Sequence, residues 1–173
     1  MANIYNNLDS AEVSRIQTSV ESHASTLNSI VSDIVEPYCK DLDKYVEFVK
    51  DCLKNGERPV SNQELEDFCM NLSTYIYFAS GFVETLGIKD DISKALWKEM
   101  YHTTRNNTIN GTVADKDSIA ELASQQEQLT NICYNRAYKI MKAKVDSAQE
   151  VLQSAKKVLS HRMQEMELTK LGN

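Results

Sequence analysis

The sequence predicts an all-α protein: a helical bundle head followed by a long C-terminal helix, with assembly into an oligomer. Three observations carry this. The chain of 173 residues holds only 5 Gly and 2 Pro, so breakers are scarce. No Gly or Pro falls between Gly111 and Gly172. Apolar residues recur at three- and four-residue steps through most of the chain, the period of an amphipathic helix.

The first helix is expected over about Ser10 to Val35. Asp9 with Glu12 three positions on fits a capping pattern, and Ile16, Val20, His23, Leu27, Ile30 and Ile34 form its seam. A second helix is expected to start at Glu36-Pro37, since proline suits a first helical turn. It carries Tyr38, Leu42, Tyr45, Val46, Val49 and Leu53, and stops at Asn55-Gly56. Ser61 with Glu64 is a capping box that opens a third helix, the most apolar one, ending at Gly87. A fourth runs from about Asp91 to Arg105. Together residues 1–105 make an N-terminal region of four helices. Residues 106–115 form a polar loop with a turn at Asn110-Gly111, and residues 116–173 the long helix, capped by Asp115 or Asp117.

That last helix is read as unbroken from Lys116 to about Leu168. Roughly 50 residues would span about 75 Å. Ile140, Met141, Val145, Ala148, Val151, Leu152, Ala155, Val158, Leu159 and Met163 fall within an arc of about 140°. Within it, Met141, Val145, Ala148, Leu152, Ala155 and Leu159 form an a/d row expected to be an oligomer seam. From Arg136 to Arg162, seven basic residues stand against Asp146 and Glu150, a net of +5 in a chain of net −6. Arg136, Lys139, Lys142, Lys144, Lys156, Lys157 and Arg162 are therefore candidate nucleic-acid-binding residues. Lys144 and Arg162 share an azimuth inside the apolar arc. Each must pair with a carboxylate of the N-terminal half, face a polyanion-holding lumen or groove, or snorkel.

Chemistry-bearing motifs are few. Cys39, Cys52, Cys69 and Cys133 include no Cys-x-x-Cys pair and fall in apolar phase, as buried reduced thiols of a cytoplasmic protein would. Glu99-x-x-His102 occurs once, without the second copy that helical di-metal sites use. No phosphate-binding glycine loop or nucleophile elbow is present. No catalytic residue, metal or cofactor is expected. No 18-residue apolar run predicts a membrane span, and Met1–Leu8 lacks the pattern of a secretory signal.

Trp97-Lys98-Glu99-Met100-Tyr101, then a polar loop, then a long helix with Arg136, Tyr138 and Ser160-His161-Arg162-Met163, resembles the UvsY-type phage recombination mediators over roughly residues 90–168. The resemblance implies a ring-shaped homo-oligomer that binds single-stranded DNA. It also implies loading of a RecA-like recombinase onto strands coated by single-strand-binding protein. The family's basic residues before the loop would correspond to Lys94 and Lys98. The chain differs from that pattern in its additional N-terminal region of about 85 residues and its less basic pre-loop helix. Trp97, Tyr101, Tyr134 and Tyr138 are candidates to stack unpaired bases, or to pack in the core.

Three functions stay open on the sequence. One is a homo-oligomeric, single-stranded-DNA-binding recombination mediator. Another is a phage or mobile-element inhibitor of a host defence nuclease, acting on protein or guide nucleic acid. The third is a structural assembly protein.

Overall fold

The computed structural model describes residues 10–55 and 59–171. They form four helices: α1 (Ser10–Asn55), α2 (Asn62–Asn107), α3 (Val113–Ala123) and α4 (Gln125–Leu171). The expected cap at Asp9 and stop at Gly56 lie outside the described residues.

The N-terminal region holds two long helices where four were expected. Proline removes one ladder hydrogen bond and costs about 3 kcal/mol inside a helix. α1 nevertheless runs through Pro37, because buried residues on both sides hold it: Val31 and Val35 before, Cys39 and Leu42 after. α2 likewise runs through Gly87. The ring of Tyr138 on α4 lies 3.4 Å from where a Cβ would stand there, so this glycine admits a close helix contact instead of ending the helix.

Capping chemistry sets the other boundaries. Ser61 and Glu64 close a reciprocal capping box: the Glu64 carboxylate accepts from Ser61 N–H at 2.8 Å, and Ser61 Oγ accepts from Glu64 N–H at 3.2 Å. Thr112 caps α3, with Asp115 completing the box. Asp115 is thus the third residue of that helix and Thr112 its cap. Gly111 supplies the turn's positive φ of 108°. The long C-terminal rod is interrupted once, at the buried Ser124 between α3 and α4. The helical i→i−4 backbone bonds from Ser124 N–H to the Ala120 carbonyl and from Gln128 N–H to the Ser124 carbonyl persist, so the rod is jointed rather than folded over.

α4 lies along α2 and α1 of its own chain. The core combines Val31, Val35, Leu42 and Val49 of α1 with Leu65, Leu72, Ile76 and Leu86 of α2. Cys133, Ala137, Met141, Val145, Ala148 and Leu152 of α4 complete it. Met141, Val145, Ala148, Leu152 and Ala155, expected as an oligomer seam, are buried within one chain, and Leu159 packs beside them. The reason is length. α1 and α2 have 46 residues each against 47 in α4, so the preceding chain is long enough to cover the rod's apolar stripe.

Candidate nucleic-acid interface

The basic residues divide by azimuth on α4. Lys144 faces inward, and its Nζ donates to Asp43 Oδ2 of α1 at 2.5 Å. Burial lowers its pKa, but the Asp43 hydrogen bond and neighbouring acids outweigh this and the net shift is upward. Arg162 donates to the carbonyl of Val60 before α2. Both inward cations are thus absorbed by the chain's own N-terminal half, Lys144 by a carboxylate and Arg162 by a backbone oxygen.

Arg136, Lys139, Lys142, Lys156 and Lys157 are exposed, as are Lys94 and Lys98 on α2. None of the seven forms an ion pair among the described residues. Arg136, Lys139 and Lys142 step around the outer side of α4 at three-residue spacing. Lys157 stands on the azimuth of Lys139 five turns on, about 27 Å away.

An open groove of about 890 Å³ runs between α2 and α4 beside this row. Ile76 and Tyr77 form one wall; Asp146, Gln149, Glu150, Gln153 and Lys157 form the other. Tyr77 is 75% exposed. The two carboxylates separate Lys139 and Lys142 from Lys156 and Lys157, so the face offers two basic ends with an acidic middle.

Lys94 and Lys98 belong to a different place, the end of the bundle where α2 meets α3. There Trp97, Lys98, Tyr101, His102, Glu121, Ser124 and Gln128 line a cavity of about 520 Å³. Arg105 donates to Asp117, which also accepts from Tyr101 Oη at 3.2 Å. The Arg105 hydrogen bond holds the Asp117 carboxyl below the usual aspartate range. Of the candidate stacking aromatics, Trp97 and Tyr101 share this corner, while Tyr138 rests against Gly87. Tyr134 is half-buried on α4.

Sequence reasoning missed a polar clamp between α2 and α4. Asn131 Nδ2 donates to Asp90 Oδ1 and Ser93 Oγ, each at 3.0 Å, and Asn135 Nδ2 donates to Asp90 Oδ2 at 2.9 Å. Its only signal was two asparagines four apart on a helix, which by itself is not specific. Burial pushes the Cys69 and Cys133 thiols up, and Cys39 to about 11 with help from Asp43. All four cysteines are free. Among the described residues, no group of three or more His, Cys, Asp or Glu is placed to hold a metal ion, and no helix is long and apolar enough to cross a membrane. Compared with family models, curated proteins and solved structures, the chain gives no match.

Proposed function

We propose that this chain is a homo-oligomeric single-stranded-DNA-binding protein that assists loading of a RecA-like recombinase. The observation supporting it is the row Arg136, Lys139, Lys142, Lys156 and Lys157: exposed cations without ion-pair partners on a rigid helix. Unpaired exposed cations can replace counterions along a phosphate backbone, which is the main source of non-specific nucleic-acid affinity. Tyr77, at the groove beside them, presents a face on which a base can stack. One subunit offers few phosphate contacts and an acidic middle, so useful affinity comes from several copies on one strand.

Retention of a labelled single-stranded oligonucleotide at low salt tests the reading. Binding that falls with salt and is lost in Lys139→Glu/Lys142→Glu/Lys157→Glu supports it; no retention at low salt contradicts it. In that event the exposed apolar faces described below favour an assembly protein.

A further inference from the structure

Uncovered apolar side chains gather at the end of the bundle holding the start of α1 and the end of α2. The α1 face that packs as Val31, Val35, Leu42 and Val49 continues toward the N-terminus as Leu27, Ala24, Val20 and Ile16. Yet Val20 is 60% exposed and Ile16 50%. On α2, Phe82 stacks on Tyr38 at 4.6 Å between centroids. Beyond it, on the same side of that helix, Leu96 and Met100 are 53% and 40% exposed. The antiparallel register set by Tyr38–Phe82 and Tyr45–Tyr75, continued, would set Val20 level with Met100 and Ala24 level with Leu96. Both faces are instead open, and no Cα of α1 comes within 8 Å of one in α3. Soluble monomers rarely leave contiguous apolar patches of more than a few hundred Å².

We infer that the α1 arm, residues 10–26, seats on the exposed apolar face of α2 in a second copy of this chain. Both halves of the contact are present on one chain, in matching phase and register, and each continues an interface already built within it. Closure onto the chain's own α2 requires bending the arm. No Gly or Pro lies between Ser10 and Glu36, and sharp helix bends need such a cause. The one ladder break, at Pro37, sits between the buried Val35 and Cys39, so packing on both sides fixes the arm's direction. In trans, an unbent arm meets the same seat, and two copies exchange arms about a two-fold axis with every arm and seat used. An arm of about 17 residues plus its seat supplies the roughly 20–30 residues a side of a stable interface. The Ser- and Thr-rich flanks of the arm (Ser14, Thr18, Ser22 and Thr26) stay in water. This inference rests on the self-associating part of the proposed function and not on its DNA-binding part.

Light scattering on the full chain at micromolar concentration tests it. The wild type is expected as a pair. Ile16→Glu/Val20→Glu and Leu96→Glu/Met100→Glu are each expected as single copies with unchanged helical circular dichroism, because all four side chains are already exposed. Mixing the two variants leaves one of the two contacts of a mixed pair intact, so pairs are expected to return at raised concentration, more weakly than in the wild type. A monomeric wild type overturns the inference, as do variants that remain paired or a mixture no more associated than either variant alone. Oligonucleotide retention is scored separately: paired wild type that retains no oligonucleotide overturns the DNA reading and leaves arm exchange standing.

Discussion

Lys144 Nζ lies 2.5 Å from Asp43 Oδ2, tying the middle of α4 to the C-terminal third of α1. The Cys39 thiol shares Asp43, and its pKa is raised to about 11, first by burial and then by that hydrogen bond. The pair is about one-third exposed on each side, so its net worth is about 1 kcal/mol or less. Asp43→Ala is expected to lower urea-unfolding stability by about 1 kcal/mol, with Asp43→Ala/Lys144→Met recovering part of it. Losses in Asp43→Ala and Lys144→Met that simply add in the double variant would show no coupling.

The same cluster sets an alkaline limit. Lys144 has a folded pKa above its ordinary value, so its contribution is full below that value and lost as pH rises through the folded one. Cys39 is harder to ionise folded than unfolded, so stability also falls above its ordinary value of 9.0. Stability is expected to be level near neutrality and to decline above about pH 9. Cys69 and Cys133, also pushed up by burial, add to the decline, so Cys39→Ser with Lys144→Met is expected to shrink it; an undiminished decline would assign it wholly elsewhere.

At the other end, Asp117 titrates below its ordinary value because Arg105 hydrogen-bonds its carboxylate. A depressed carboxylate stabilises fully above its ordinary value, and that stability is lost as pH falls through the folded one. Trp97, the single tryptophan, lines the adjacent corner cavity. Its fluorescence is expected to include a step below the ordinary aspartate range. Asp117→Asn should remove that step and leave only the changes it shares with the wild type, since His102 and Glu121 line the same cavity in both.

Met141 of α4 is fully buried in the core that α4 shares with α1 and α2. Met141→Ala is expected to cost about 2–5 kcal/mol by leaving a cavity, and Ala148→Leu about 1–3 kcal/mol by overpacking. Both are read by chemical denaturation. Near-neutral values would mean that α4 does not pack within its own chain. Thiol labelling gives an independent view: Cys39 and Cys133 are buried, and both should react with maleimide at neutral pH only after denaturant is added. Fast labelling in buffer would contradict their burial.

The helical class, the Ser61–Glu64 cap and the Asn110-Gly111 turn were legible because each rests on local chemistry. Breaks and continuations were less so. Pro37 looks like a helix start and Gly87 like a stop in isolation, but burial of Val35 and Cys39 in one case and the Tyr138 contact in the other carries the helix through. Ser124 interrupts a run with no breaker in it. For the candidate site, azimuth correctly marked Lys144 and Arg162 as inward-facing. It could not say what they meet, since Asp43 and the Val60 carbonyl lie about 100 residues away in sequence. The periodicity of Met141 to Leu159 announced a seam but not whose helix fills it. Lys94 and Lys98 were grouped with the α4 row by charge, and the fold sets them at another corner.

The central claim is that the outer basic row of α4 meets a nucleic-acid backbone. It is tested most directly by a salt titration of oligonucleotide affinity for the wild type and for Lys139→Glu/Lys142→Glu/Lys157→Glu. If these three lysines contact phosphates, the slope of log affinity against log salt should fall by about 2, at about 0.7 per contact, together with a large loss of affinity. A wild type with no salt-dependent binding, or a triple variant with the same slope, would contradict it.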